Sequence, residues 1–213
     1  MLGANDGIVS VAAIVVGVAG ATSAPAAILT AGLAGLVGGA ISMALGEYVS
    51  VSSQRDSQTA LIAKERHELA TEPELELAEL AGIFEAKGLS ATTAQRVAEE
   101  LTAHDALSAH LEAELGIREA DIANAWHAAG ASALAFLLGA TLPLVAILLP
   151  PENLRVPATF VAVLLALAVT GATSAAIGGS PKLRPILRIV IGGALALAVT
   201  FGIGTLLGTS GLV

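Results

Sequence analysis

The sequence predicts an all-α membrane protein, with five transmembrane helices and a cytosolic, acidic three-helix insert between spans two and three. Three observations carry this. Only 13% of the 213 residues are charged, against about 25% in an ordinary soluble domain. The deficit is uneven: residues 7–46, 122–151 and 156–181 contain no Asp, Glu, Lys or Arg. Residues 50–121 hold fifteen acidic and six basic side chains, so nearly the whole net charge of −8 belongs to that stretch. The expected organisation is therefore 1–49 as spans one and two, 50–121 as a soluble acidic insert, and 122–213 as spans three to five.

Each span is an apolar run long enough, or nearly so, for a bilayer, which needs about 20 residues. The first is expected at Gly7–Ala21, closed by Thr22-Ser23-Ala24-Pro25. It is short and starts abruptly, which points to further residues upstream. The second is expected at Ala26–Val49, the third at Ala125–Leu149 before Pro150-Pro151, the fourth at Val156–Ile177 before Gly178-Gly179-Ser180-Pro181, and the fifth at Ile186–Leu207. Nine of the ten basic residues fall in two connections on the same side, with Arg155 alone opposite. The positive-inside bias assigns that side, the insert and the N-terminus to the cytosol. Gly35 and Gly39, and Gly204 and Gly208, are each four apart. That spacing lets helices approach closely, inside one bundle or at a dimer seam.

In the insert, span two has no Gly or Pro to stop it before Ala70, so its helix is expected to continue from Val49. Thr71 is expected to cap a second helix, with Pro73 in its first turn and Glu74 completing a capping box. This helix runs to Lys87 and ends at Gly88. Ser90 is expected to cap a third helix that reaches Leu115 and is closed by Gly116.

Two constellations can carry chemistry. Met43 and Glu47 lie one turn apart at the end of span two, and Asp6 stands at the mouth of span one. If the two spans pair, two carboxylates and a thioether converge, a donor set for a borderline divalent metal; a carboxylate at membrane depth is costly and points to function. Singly, each has an ordinary reading: Met43 as a gap filler, Asp6 as a helix cap, Glu47 in the headgroup region. In the insert, Glu65 and Glu68 form one E-x-x-E pair, Glu76 and Glu79 a second, and His110 with Glu114 a third pair four apart. Each pair shares a helix face and can present two donors to one ion. E-x-x-E alone is weak, because Glu is abundant on helix faces, and the acidic stretch also reads as a solvated face.

The composition excludes several classes. With no Cys there are no disulfides or thiolate metal sites. The acidic balance argues against nucleic acid as a partner. No hydrolase triad and no Walker A loop is present, so the chain is not an ATP-driven pump by itself and is not expected to be an enzyme. An iron oxidase is disfavoured by the lack of E-x-x-H pairs. Transport would run on a gradient, and protons fit, because carboxylates lose protons when they bind metal.

At these residues the chain resembles the vacuolar iron transporter family, in its bacterial branch. The resemblance is carried by the stretch Gly3 to Ser10 (GANDGIVS) and by Gly39 to Asp56 (GAISMALGEYVSVSSQRD). Glu114-Leu115-Gly116-Ile117, Ser132-Ala133-Leu134-Ala135-Phe136 and Gly192-Gly193-Ala194-Leu195-Ala196 add to it. It implies a homodimeric, multi-pass carrier in a bacterial inner membrane or vacuole-type membrane, with no permanently bound cofactor. Fe2+ or Mn2+ would be both the transported and the regulatory ion, exported from the cytosol by proton antiport. It implies that Asp6 and Met43 line the pathway and that Glu65, Glu68, Glu76, Glu79 and Glu114 bind metal in the insert. Plant members carry a pathway carboxylate where this chain has Gly35, and Glu47 is the expected substitute. They also carry Met where this chain has His110 and Leu111, which makes the site harder and favours manganese as well as iron. The competing reading is a membrane-anchored metal sensor or store.

Overall fold

The computed structural model describes residues 2–210. Among the described residues there is no strand; the chain forms seven α-helices with short 3-10 and π turns. These are α1 (Leu2–Ala21), α2 (Pro25–Thr71), α3 (Pro73–Ala86), α4 (Ala91–His110), α5 (Ala125–Leu148), α6 (Arg155–Ile177) and α7 (Leu183–Thr209). Five of them, α1, α2, α5, α6 and α7, are long and apolar enough to cross a membrane. The chain divides into two compact units, Met1–Tyr48 with Trp126–Val213, and Val49–Ala125, and α2 supplies residues to both.

The first unit is built around α1. Ile8, Val11, Ala12, Val15 and Val16 are all buried, and they join Ile28 and Ala40 of α2, Phe136, Ala140, Leu144 and Ile147 of α5, Val163 and Leu167 of α6, and Leu197 of α7 in one core. The outer faces are apolar too. On α7, Leu187, Ile191, Leu195, Val199 and Ile203 recur every four residues and are exposed, as are Leu29, Leu33, Val37, Ile41, Leu45 and Val49 on α2. Apolar residues inside and outside are what a bilayer solvent demands. Threonine hydroxyls bond back to their own helix, as in Thr159 to the Arg155 carbonyl at 2.8 Å, so they present no unpaired donor to lipid. The single Trp and single Tyr meet: the Tyr48 and Trp126 rings lie 4.6 Å apart at the ends of their membrane segments, where amphipathic rings prefer to sit.

Both glycine pairs are used within this bundle. A Cβ on Gly204 would strike the Gly17 carbonyl oxygen, and one on Gly208 would lie 2.6 Å from the Ala21 carbonyl oxygen. Gly35 and Gly39 abut Ile14 and the Phe136 ring. Because Gly204 meets backbone, no rotamer change relieves the clash. Gly204→Val should force α1 and α7 apart and cost at least about 1–3 kcal/mol. Gly202→Ala, which meets nothing within 4 Å, should be neutral or stabilising by up to about 1 kcal/mol. Thermal unfolding in detergent measures both, and equal behaviour of the two variants would refute the packing account.

The second unit contains the end of α2, then α3 and α4, with a core of Ile62, Leu111 and Ile117 in one cluster and Leu80, Ala81 and Ala98 in another. Gly88 at φ +103 turns α3 into α4, a conformation that only glycine adopts without strain. Ser90 caps α4 by accepting from the Thr93 N–H at 3.3 Å.

Two local expectations fail. The capping box at Thr71 does not form. Helix α2 persists through Thr71, whose hydroxyl donates to the His67 carbonyl at 3.0 Å. The α3 N-cap is instead Glu72, without a side-chain bond, and Pro73 opens the helix as its missing N–H allows. The third insert helix is also not continuous to Leu115. Asp105 is extended (φ −158°, ψ 92°) and its Oδ1 accepts from the Ser108 N–H at 3.0 Å, so it caps a fresh start. Residues Leu111–Leu115 then form a π turn, closed by Gly116 at φ +63. Asp side chains compete for backbone N–H groups in this way.

Candidate functional sites

The membrane unit holds a cavity of about 400 Å³ lined by residues of α1, α2 and α5. Asp6 and Met43 both line it, with Ser10, Ser42 and Phe136. Asp6 is not a helix cap. It lies inside α1, which begins at Leu2, and its Oδ1 accepts from the Ser10 hydroxyl at 2.7 Å. That bond spans one turn, the spacing at which helical side chains meet. Gly35, Gly38 and Gly39 make the room: a Cβ on Gly39 would run into the Phe136 ring, and one on Gly35 would lie 2.6 Å from Ile14 Cδ1. Glu47, one turn beyond Met43 on α2, is half-buried and is not among the lining residues. Ser10 and Ser42 were missed from sequence; the signal was available, since Ser10 is four residues after Asp6 and Ser42 adjoins Met43.

The second unit gathers a different group. Ligand atoms of Glu65 (α2), Glu76 (α3) and His110 (end of α4) lie within 4.8 Å of one another, and all three residues are buried. His110 Nδ1 is 3.0 Å from Glu65 Oε1 and 3.6 Å from Glu76 Oε2. The 3.0 Å approach is not directed as a hydrogen bond: Glu65 Oε1, His110 Nδ1 and His110 Nε2 are all buried without a hydrogen-bond partner. Leaving such groups unsatisfied costs about 1–3 kcal/mol each, and buried ligand atoms that converge without a hydrogen bond between them suit a shared cation.

The electrostatics agree. Burial, then the charges of Glu114, Glu76, Glu68 and Glu79, push the Glu65 carboxyl up to about 7. Burial and Glu79 also raise Glu76, while His110 acts the other way. Carboxylates held this close resist ionising together, and a divalent cation removes the penalty.

The other three predicted donors do not join the cluster. Glu68 is turned to Lys64, 2.7 Å away and at the surface, a pairing worth little. Glu79 and Glu114 are exposed. The π turn after His110 breaks the regular four-residue register on which pairing His110 with Glu114 rested. Both still act on the cluster through their charge. Removing Glu79's charge should therefore weaken metal binding only a few-fold, far less than removing Glu65 or His110, as a metal titration of Glu79→Gln would measure. A loss as large as that of Glu65→Gln would make Glu79 a direct ligand.

The model of the VIT family matches residues 1–205. The chain is 42% identical over 207 residues to the vacuolar iron transporter of Acanthamoeba castellanii, covering 97% of this chain and 76% of that protein. It is 34% identical to vacuolar iron transporter homolog 2.1 of Arabidopsis thaliana, covering 100% of this chain and 81% of that one. It is 38% identical to vacuolar iron transporter homolog 1 of Oryza sativa subsp. japonica, covering 100% and 74%.

Proposed function

The chain belongs to the VIT family, whose members are transporters and not enzymes, and on that premise we propose that it carries divalent iron or manganese out of the cytosol in exchange for protons. The observation that carries this reading is the cavity in which Asp6 and Met43 face the same space, within the membrane unit. A carboxylate hydrogen-bonded to Ser10 offers a hard, anionic donor, and the Met43 thioether offers a soft one. A divalent ion that enters must displace any proton on Asp6, and a returning proton displaces the ion. That competition is the chemical basis of antiport.

The Glu65, Glu76 and His110 cluster serves the same ion on the cytosolic side in this reading, as a receiving or sensing site. Two carboxylates and an imidazole take Fe2+ or Mn2+ readily. The orientation follows from the basic residues of the insert and of Lys182, Arg184 and Arg188. A second copy of the chain would cover the exposed stripe of α2, since Ala34, Gly38 and Ser42, which line the cavity, are themselves exposed.

The test is uptake of ferrous and manganous ions into proteoliposomes, with and without an inside-acidic pH gradient. Uptake that rises with the gradient supports antiport; metal-independent background flux under every condition refutes it. The alternative, a membrane-anchored sensor or store, draws on the cluster's position in a unit that is compact by itself. It predicts stoichiometric metal binding with no flux at all.

A further inference from the structure

A second cavity of the membrane unit, about 390 Å³, is lined by residues of α1, α6 and α7. Its polar lining is Asn5, Ser174 and Arg188, and its apolar lining includes Val9 and Ile189. Neither the transport cavity nor the acidic cluster uses these residues. Three features stand out. Arg188 makes no ion pair among the described residues, although the chain carries eighteen carboxylates. The Asn5 Oδ1 atom is buried without a hydrogen-bond donor. Gly192 borders open space: a Cβ there would meet nothing within 4 Å.

We propose that this cavity seats the headgroup of an anionic phospholipid that also carries a hydroxyl, with Arg188 on the phosphate and Asn5 accepting from the hydroxyl. A guanidinium matches a phosphate's two oxygens with a fork of donors. Basic pockets between membrane helices near a span's end are placed for this chemistry, and Lys182 and Arg184 add positive charge at the same end of α7. The lipid source is favoured over a soluble phosphate by what adjoins the cavity. Val9 and Ile189 give it apolar walls, and the exposed stripe of Ile191, Leu195 and Val199 continues along α7, where acyl chains can lie.

Native mass spectrometry of the full chain in mild detergent tests this, titrating phosphatidylglycerol against phosphatidylcholine with the same acyl chains. Wild type should retain one phosphatidylglycerol per chain with about tenfold preference, the worth of one charge-assisted contact. Arg188→Gln removes the charge and Gly192→Leu fills the space; both should abolish the preference by different routes, so a folding failure in one leaves the other decisive. Arg184→Gln has the same net charge as Arg188→Gln but lies outside the lining, and should keep the preference. Equal loss in the two arginine variants would reduce the effect to general surface charge and overturn the site. Displacement of the lipid by soluble glycerophosphate at equal concentration would assign the cavity to a free anion and overturn the lipid proposal.

Discussion

Replacing Asp6 by Ala is expected to reduce metal uptake into proteoliposomes to the protein-free background, a loss of roughly a hundredfold or more, while the bundle stays folded. The size follows from what is removed. Groups that merely orient a ligand cost about 10–100-fold in metal affinity when lost, and Asp6 is the only carboxylate among the described residues that line the proposed transport cavity. Folding should survive because the side chain is exposed to that cavity and its hydrogen-bond partner is Ser10, one turn away on the same helix. Asp6→Asn separates charge from shape: it keeps a hydrogen-bonding partner for Ser10 but loses the anion, and is expected to transport no better than Asp6→Ala. Met43→Leu should act differently, lowering apparent affinity several-fold at unchanged fold, because a thioether is a weak supplementary donor. An Asp6→Ala protein that keeps half the wild-type flux would remove the cavity from the route.

The second large effect is a pH-dependent loss of metal binding centred on Glu65. Its carboxyl is raised to about 7, and only the ionised form binds metal. Affinity at the cluster should therefore fall as pH drops from 8 to 6, approaching tenfold per pH unit below 7 for each proton displaced. Glu65→Gln should lose most affinity at every pH and lose that titration with it. The metal-free protein is expected to show the opposite trend in stability. A carboxyl whose pKa is higher folded than unfolded binds its proton more tightly in the native state, so the native state is favoured at low pH. This advantage is fully present below the unfolded value, near 4.3 for a Glu. It declines as pH rises toward about 7 and is gone above it. The difference in unfolding temperature between wild type and Glu65→Gln, followed from pH 5 to 8 without metal, isolates this contribution. Adding Mn2+ at pH 8 should restore wild type and leave Glu65→Gln unchanged, by preferential binding to the native state. Superimposable pH profiles for the two proteins would show that Glu65 is not perturbed by its surroundings.

What was legible in the sequence is what depends on a short stretch of chain. The five spans could be read because transfer of about 20 residues into lipid is decided by their own composition. Gly88, Ser90 and Gly116 could be read as helix boundaries because a positive φ or a capping oxygen is a property of one residue. Even here neighbours intervened. Thr71 has the right residue type for a cap, but α2 had enough helix-forming residues to run through it, and Asp105 broke a helix whose periodicity was otherwise continuous. Helix periodicity also named six candidate donors in the insert, since residues three or four apart share a face.

Which of those faces meet was decided only in three dimensions. Glu65, Glu76 and His110 come from three helices whose mutual approach rests on the packing of Ile62, Leu80, Ala98 and Leu111, and no spacing along the chain encodes that. Glu68, with the same helical credentials as Glu65, is drawn to Lys64 instead. Likewise Asp6 and Met43 share a cavity while Glu47 does not line it, because glycines at 35, 38 and 39 open α2 at one level of the membrane unit. The sequence by itself determined the helices and their solvent, because those free energies are local. The tertiary structure alone decided the donor sets, because each requires side chains from separate helices to be desolvated together.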